Sequence, residues 1–205
     1  MKNKIFIIAI ITLVVCLVSA QLIIENSNKL HEKIFEHFYE TKLYDFFEEN
    51  NIELTPKEKE SMEYYIIDLK NTGDLSLLVL YGDLEVLNQV IEYKHGKFCL
   101  GEPLDLVTNT GTGGSDAKKI MKKENKTYYY SYASERLEYG ENSRWAFEEL
   151  VYTYEDGEKM VLEELKSDNG IDYFLNGEKL DQYPRGYDPT KEYETIVDSR
   201  VFLLD

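Results

Sequence analysis

Three X-Gly dipeptides constrain the fold of this chain more than any other feature of its sequence. They are His95-Gly96, Asp156-Gly157 and Asn176-Gly177, and each borders segments in which apolar and polar residues alternate. Tight hairpin turns need residues that tolerate a positive φ, so such pairs between alternating segments are typical of β-hairpins. The strands predicted at these turns cover 86–94 and 97–100, then 146–154 and 159–165, and finally 173–175.

Other segments also have strand character. Residues 64–67 are aromatic and β-branched, and residues 75–81 are predominantly apolar, as in a buried strand. The run YYYSY at 128–132 predicts a further strand, because aromatic residues favour β-structure. A Gly/Thr-rich loop is expected over 108–115. Together these segments predict an antiparallel, meandering sheet over residues 62–182.

Helical signals precede the strands. Residues 26–50 carry Leu, Ile and Phe at three- to five-residue spacing, with Lys and Glu between them, which predicts a helix. Thr55-Pro56 followed by Glu58 has the pattern of a capping box with proline in the first turn, so a second, short helix is expected. The predicted fold class is α+β, in which N-terminal helices pack on the antiparallel sheet. The predicted organisation is a single domain over 21–205, with a helical part at 26–60 and a C-terminal tail at 183–205.

The N-terminus has the pattern of a signal peptide. Lys2 and Lys4 precede an uncharged apolar run over 5–18, and Val18-Ser19-Ala20 places small residues at a cleavage site before Gln21. A signal peptide over 1–20 is therefore predicted. The alternative is an uncleaved anchor to about residue 24, since a spanning helix needs about 20 apolar residues. Either interpretation predicts export, ending in secretion or at the cell surface.

Charge and cysteine content exclude some partners and one kind of stabilisation. The chain has 39 Asp and Glu against 23 Lys and Arg, a net charge of −16. Such a surface repels phosphate backbones and anionic headgroups, so nucleic acid is excluded, and a membrane contact is expected only through an uncleaved N-terminal segment. Beyond the predicted signal peptide only Cys99 remains, so no intramolecular disulfide is available.

Residues 68–74 look like a degenerate calcium loop. Counted from Asp68 as position 1, glycine stands at position 6, Thr72 at position 5 and Asp74 at position 7. Position 3 is Lys70, whose ammonium would lie where the cation should be. Calcium needs six to eight oxygen ligands with several charges, and this loop supplies too few. We therefore interpret Asp68, Thr72 and Asp74 as a vestigial calcium-type loop and predict a tight turn with no metal.

The stretch "YYIIDLKNTGDLSLLVLYG" resembles the Asp-rich loop of FG-GAP-type and related repeats. In those repeats a strand, a D-x-D-x-D-G loop and a second strand recur in exported and surface proteins of bacteria. The resemblance covers about residues 60–180 by the rhythm of strands and turns, and it implies architecture and location. The departures at Lys70, Thr72 and Ser76 fall on the ligand positions themselves.

Other candidate sites are weak. The glycines at 111–114 are not followed by the lysine of a phosphate-binding loop. His95 and Cys99 are four apart in a predicted hairpin, which does not bring their side chains together, and His31 and His37 lie on different faces of the first helix.

Two adjacent acid pairs remain, Glu148-Glu149 and Glu163-Glu164, which could supply carboxylates for glycoside hydrolysis. Adjacent residues in a strand point to opposite faces, so at most one of each pair faces a cleft.

The functional prediction rests on exclusion and on aromatic content. The chain has 17 tyrosines and one tryptophan, Trp145, which fill a sheet or bind sugars and peptides. No catalytic residue and no cofactor are predicted. We expect an exported, acidic, non-enzymatic binding or interaction module of a bacterial cell surface, with an extracellular protein or a glycan as its partner. The alternatives are a secreted carboxylate-based hydrolase and an antagonist or immunity-type partner of another exported protein.

Overall fold

The computed structural model describes residues 2–82, 87–104, 106, 114–137 and 144–199. The chain divides into two compact units, residues 1–53 and 54–205, where the sequence predicted one domain over 21–205. The first unit contains helix α1, Lys2–Glu49, so the helix predicted over 26–50 extends back through the N-terminal segment. Over the described residues, no helix is long and apolar enough to cross a membrane.

The second unit is built mainly of β-strands. It begins with helix α2, Pro56–Glu60, whose predicted capping box is confirmed: Glu58 N donates to Thr55 Oγ1 and Thr55 N donates to Glu58 Oε2. Strands β1 to β6 are Glu63–Ile67, Ser76–Tyr81, Leu87–Lys94, Lys97–Leu100, Gly114–Lys123 and Lys126–Arg136. Strands β7 to β11 are Trp145–Glu155, Glu158–Ser167, Tyr173–Leu175, Glu178–Leu180 and Glu194–Asp198.

These strands form two antiparallel sheets. One has the order β1-β2-β3-β4, and the other has the order β10-β9-β8-β7-β6-β5-β11. The antiparallel arrangement predicted for residues 62–182 is confirmed, but the strands divide between two sheets. Strand β11 pairs with β5 inside the region predicted as a C-terminal tail, 183–205. The predicted Gly/Thr loop lies largely outside the described residues, and its last two positions, 114 and 115, begin β5.

The three predicted hairpin turns are confirmed. His95, Asp156 and Asn176 have φ values of 52°, 52° and 51°, and the glycine after each also has a positive φ. A positive φ at both central residues is the geometry that suits the twist of the flanking strands. A further hairpin joins β5 to β6 at Glu124, with φ 57° and no glycine, so the sequence pattern did not reveal it.

The core of this unit lies between the two sheets. Every residue of β2 is buried, as the apolar pattern of 75–81 predicted. Leu78 and Leu80 of β2 share one cluster with Ile120 of β5 and Tyr129 of β6. The apolar faces of both sheets therefore meet, which removes from water the surface that drives folding.

Candidate binding cleft between the two sheets

The segment predicted as a vestigial calcium loop forms the turn between β1 and β2. The Asp68 carboxylate accepts hydrogen bonds from three backbone N–H groups of this turn. The donors are Lys70 at 3.3 Å, Thr72 at 3.1 Å and Gly73 at 2.7 Å. An aspartate that accepts from the following backbone closes a turn in the manner of an Asx-turn. The predicted tight turn is confirmed, and Asp68 is its organising residue.

Thr72 and Asp74, the other two residues of the predicted loop site, also form hydrogen bonds within the turn. The backbone N–H of Asp74 donates to Thr72 Oγ1 at 3.4 Å, and Lys70 is exposed. Within the described part of the chain, no three His, Cys, Asp or Glu side chains are grouped so that they could hold a metal ion. The prediction that the loop binds no calcium is left to experiment.

Asn71, at the centre of the loop, connects the two sheets. Its backbone is left-handed, with φ 55°, and its side chain reaches β6 and β7. Asn71 Oδ1 accepts from Thr127 N at 2.6 Å, while Nδ2 donates to Thr127 O at 2.9 Å and to Thr153 Oγ1 at 2.8 Å. Thr127 is 4% exposed, so water cannot reach its backbone N–H and C=O groups easily. The Asn71 side chain gives these buried groups the hydrogen-bond partners that they would otherwise lack.

Two further hydrogen bonds hold the backbone of the loop against β6. Thr127 Oγ1 donates to Asp68 O at 2.7 Å, and Tyr129 Oη donates to Leu69 O at 2.5 Å. We call residues 68–71 with Thr127, Tyr129 and Thr153 the inter-sheet clip. Asp68 was recognisable in the sequence from the loop pattern, but Asn71, Thr127 and Thr153 were not, because their partners lie at least 26 residues away in the chain.

Beside the clip, the two sheets enclose a cleft of about 660 Å³. The four-stranded sheet and the chain after it contribute Ser76, Val90, Glu92, Lys94 and Leu104. The seven-stranded sheet contributes Lys118, Tyr129, Tyr152 and Tyr154, and the loop contributes Leu69, Lys70 and Thr72. Ligand pockets occupy roughly 300–1,000 Å³, so the cleft has the size of a small-ligand site.

Tyrosines form one wall of the cleft. The rings of Tyr129 and Tyr152 stack with centroids 5.2 Å apart, and Tyr154 meets the Tyr129 ring edge-on at 5.4 Å. Lys159 Nζ lies 4.0 Å from the centroid of the Tyr152 ring, in a cation–π contact. Burial raises the pKa of the Tyr129 hydroxyl well above the ordinary value for tyrosine. This wall is therefore aromatic and fixed by packing.

The other groups of the cleft carry both signs of charge. Lys94 Nζ lies 2.6 Å from Glu92 Oε2, and Lys118 Nζ donates to Ser131 Oγ at 3.2 Å. Asp74 and Glu102 add carboxylates to the lining. The cleft therefore offers hydrogen-bond donors and acceptors beside aromatic rings, rather than one concentrated charge.

The two acid pairs predicted as possible hydrolase carboxylates lie elsewhere. Glu149 and Glu163 share one face of the seven-stranded sheet, because Glu149 is paired with Leu165, two residues from Glu163 on β8. Glu149 is 9% exposed and accepts from Tyr130 Oη at 2.7 Å. Burial raises the pKa of the Glu149 carboxyl, and Glu163 adds to this effect. As alternation predicted, Glu148 lies on the opposite face, where it is exposed.

Residues after β10 lie close to this acid pair. The Asp188 carboxylate contributes to the raised pKa of Glu149. The pKa of the Tyr187 hydroxyl is also raised, mainly by burial and in addition by the neighbouring Glu163 carboxylate. The Tyr187 hydroxyl is buried, and no described residue meets hydrogen-bond geometry with it. Glu149 thus lies in an enclosed polar environment and does not line the cleft.

The remaining candidates are dispersed. The half-buried Cys99 thiol donates to Glu92 O at 3.6 Å on the neighbouring strand, while His95 is exposed in its turn. His31 and His37 lie on α1, in the other compact unit. None of these residues lines the cleft except His95.

Comparison of the chain with protein-family models, with characterised proteins and with solved structures found no match. The resemblance to FG-GAP-type loops stays a prediction. The geometry of the cleft therefore carries the functional argument.

Proposed function

We propose that this protein is an exported, non-enzymatic binding module whose inter-sheet cleft takes an oligosaccharide segment. The observation that carries the proposal is the tyrosine wall of Tyr129, Tyr152 and Tyr154, facing a lining that mixes hydroxyl, ammonium and carboxylate groups. The same proposal includes the predicted architecture, in which the N-terminal helices pack on the sheet.

The chemistry of a sugar ring fits such a lining. One side of a sugar ring is largely apolar C–H surface that packs on an aromatic face, while its rim of hydroxyls both donates and accepts hydrogen bonds. Lys118 can donate to a ring hydroxyl and Glu92 can accept from one, and both line the cleft. A strongly charged ligand would meet a group of its own sign here, so a neutral ligand is favoured.

The inter-sheet clip supports binding by preorganisation. Asn71, Thr127 and Tyr129 join the two walls through hydrogen bonds of 2.5 to 2.9 Å. A cleft whose walls are already joined needs little reordering when a ligand enters, so less of the interaction energy is spent on ordering. The proposed location rests on Lys2, Lys4 and the small residues before Gln21.

Titration calorimetry with neutral oligosaccharides released from bacterial cell-wall polysaccharide tests the proposal. Tyr154→Ala removes part of the aromatic wall, and we expect it to weaken binding by about tenfold or more, which corresponds to roughly 1.4 kcal/mol. Tyr64→Ala is the matched control, because Tyr64 is an exposed strand tyrosine outside the cleft and its loss should leave affinity unchanged. Circular dichroism confirms that both variants fold. Equal affinities for the two variants, or no binding of any of these sugars, would refute the proposal.

The alternative of a carboxylate hydrolase rests on Glu149 and Glu163, which share one face of the sheet. Retaining and inverting glycosidases place two carboxyls on either side of the bond they cleave, in a site that substrate enters. Burial of Glu149 and its hydrogen bond to Tyr130 favour the binding module instead. Release of new reducing ends from the same oligosaccharides, abolished by Glu163→Gln, would support the hydrolase.

A further inference from the structure

Strand β8 has an open edge along its first half. It pairs with β7 from Glu158 to Ser167, but β9 pairs with it only at Leu165 and Lys166. Beside them, Asn176 N donates to Glu164 O and Glu164 N donates to Asn176 Oδ1, both at 2.8 Å. Within the described part of the chain, residues 158–163 therefore have a strand partner on one side alone.

The backbone groups of Lys159 and Val161 point away from β7. In an antiparallel pair, alternate residues turn their N–H and C=O groups toward the partner strand. Glu158 closes the two-residue hairpin opposite Glu155, so Lys159 and Val161 have the outward orientation. A β-bulge opposite Val151 and Tyr152 shifts this alternation by one residue. After the bulge, the backbone N–H and C=O of Glu164 therefore point away from β7, in agreement with their hydrogen bonds to Asn176.

This edge also exposes consecutive apolar side chains. Met160, Val161 and Leu162 are 45%, 51% and 47% exposed. Natural sheets usually protect an edge with charged side chains, lysine above all. Lys159 does not project along this edge, since its ammonium lies over the Tyr152 ring on the face of the sheet.

Carboxylates flank the apolar residues. Glu155, Asp156 and Glu158 are exposed before them, and Glu163-Glu164 follows them in the sequence. Glu155 and Glu164 already form ion pairs with Lys126 and Lys166, at 3.4 Å and 3.2 Å, so the carboxylates offered to a basic partner are those of Asp156, Glu158 and Glu163. The chain as a whole carries a net charge of −16. A second copy of the chain would bring like charges together at this edge, whereas a basic segment would meet complementary charges.

We propose that the open edge of β8 binds an extended segment of a partner protein in which basic and apolar residues alternate. The segment adds a strand beside residues 158–163, as in strand-addition complexes. Its backbone pairs with Lys159 and Val161, its apolar side chains cover Met160 and Leu162, and its basic side chains meet the flanking carboxylates. Residues 158–163 do not line the cleft, although the Lys159 side chain contacts Tyr152 of its wall. The two proposals name different ligands and different backbone or ring contacts, so either can fail without the other.

Fluorescence anisotropy with the full chain and a labelled Lys-Val-Lys-Val-Lys-Val peptide tests the inference. We expect saturable binding of this peptide and none of a matched Glu-Val peptide. Val161→Pro removes an outward N–H that takes no part in pairing with β7, and it should weaken binding about tenfold. Leu100→Pro is the matched control, since Leu100 is an exposed residue of β4 at the edge of the other sheet. It should leave the affinity unchanged.

Amide hydrogen exchange on the unsubstituted chain gives a second readout that does not depend on how the variants fold. Peptide binding should slow exchange at Lys159 and Val161 and leave the amides of β4 unchanged. The inference is wrong if the Glu-Val peptide binds equally well, if Val161→Pro has no effect, or if no protection develops at these two amides. It is also wrong if the chain dimerises through this edge, which sedimentation of the wild type and of Val161→Pro would reveal.

Discussion

The side-chain amide of Asn71 pairs with the backbone of Thr127 as a neighbouring strand would. Its Oδ1 accepts from Thr127 N at 2.6 Å, and its Nδ2 donates to Thr127 O at 2.9 Å. Fifty-six residues separate the two in the chain. A single side chain therefore joins the β1–β2 turn of one sheet to the start of β6 in the other. The join between the two sheets, and with it the geometry of the cleft beside them, depends on this pair.

Removal of the Asn71 amide should destabilise the second unit. Asn71→Gly keeps a positive φ accessible and leaves the buried N–H of Thr127 without its partner, so we expect a loss of about 2 to 3 kcal/mol. Asn71→Ala should lose about 1 kcal/mol more, because alanine is strained at this φ. Urea denaturation measures the free energy of unfolding of both variants. The exposed neighbour provides a control, since Lys70→Ala should change stability by less than about 0.5 kcal/mol. If Asn71→Gly had the same free energy of unfolding as the wild type, the inter-sheet clip would not contribute to stability.

The hydroxyl of Tyr129 should make its own contribution to the stability of the second unit, separate from that of Asn71. Tyr129→Phe keeps the ring stack with Tyr152 but deletes the hydrogen bond to Leu69 O, for an expected loss of about 1 to 2 kcal/mol in the same denaturation experiment. Tyr132→Phe is the matched control, since Tyr132 is another tyrosine of β6 whose ring packs on an aromatic partner, Phe147, outside the clip. Equal stabilities for the two variants would mean that the Tyr129–Leu69 bond adds nothing.

Glu149 should make stability depend on pH. Burial raises its folded-state pKa above the ordinary value of 4.5, so the folded protein holds this proton to higher pH than the unfolded chain. The contribution of Glu149 is then complete below the unfolded pKa and is lost as the pH rises through the folded pKa. Glu149→Gln stays neutral and can still accept from Tyr130, so we expect it to be more stable than the wild type near pH 7.

The comparison of Glu149→Gln with the wild type is made by denaturation between about pH 4 and pH 7. The stability difference should grow as the pH rises. Glu148→Gln removes the same charge from the exposed face of the same strand, and its difference from the wild type should stay nearly constant. If the stability of the two variants had the same pH dependence, burial of Glu149 could not be the cause of the pH dependence of the wild type.

Calcium should not stabilise the protein. The Asp68 carboxylate already accepts three backbone hydrogen bonds. By its spacing in the sequence, Lys70 stands at a position where a calcium loop has a ligand. A ligand that binds the folded state raises the thermal midpoint, so midpoints with chelator and with millimolar calcium should coincide. Micromolar calcium binding that Asp68→Ala abolishes would show that the loop is a working site.

Export should leave a new N-terminus. Mass spectrometry of the protein from its native source should find Gln21 as the first residue, because Val18-Ser19-Ala20 fits signal peptidase. Recovery of the intact Met1 end in a membrane fraction would favour the alternative of an uncleaved anchor.

The sequence by itself determined the local features of this protein. His95-Gly96 and Asp156-Gly157 turn as their φ preferences require, Thr55 and Glu58 cap α2, and the apolar run of β2 is buried. Each of these depends on residues a few positions apart, whose steric and hydrogen-bonding preferences act without the rest of the fold. Strand β5 escaped prediction because its lysine-rich pattern, GSDAKKIMKK, reads as polar surface.

Only the tertiary structure decided how the strands divide into two sheets and what lies between them. Strand β11 pairs with β5 from a region without a strong local pattern, and Asn71 finds Thr127 across 56 residues. Pairings of this kind depend on loop closure and on the complementarity of distant surfaces, neither of which a short sequence window contains. The cleft depends on those distant pairings, and the edge of β8 is open because β9 pairs with only two of its residues. The residues of both sites could therefore be recognised only in the folded chain.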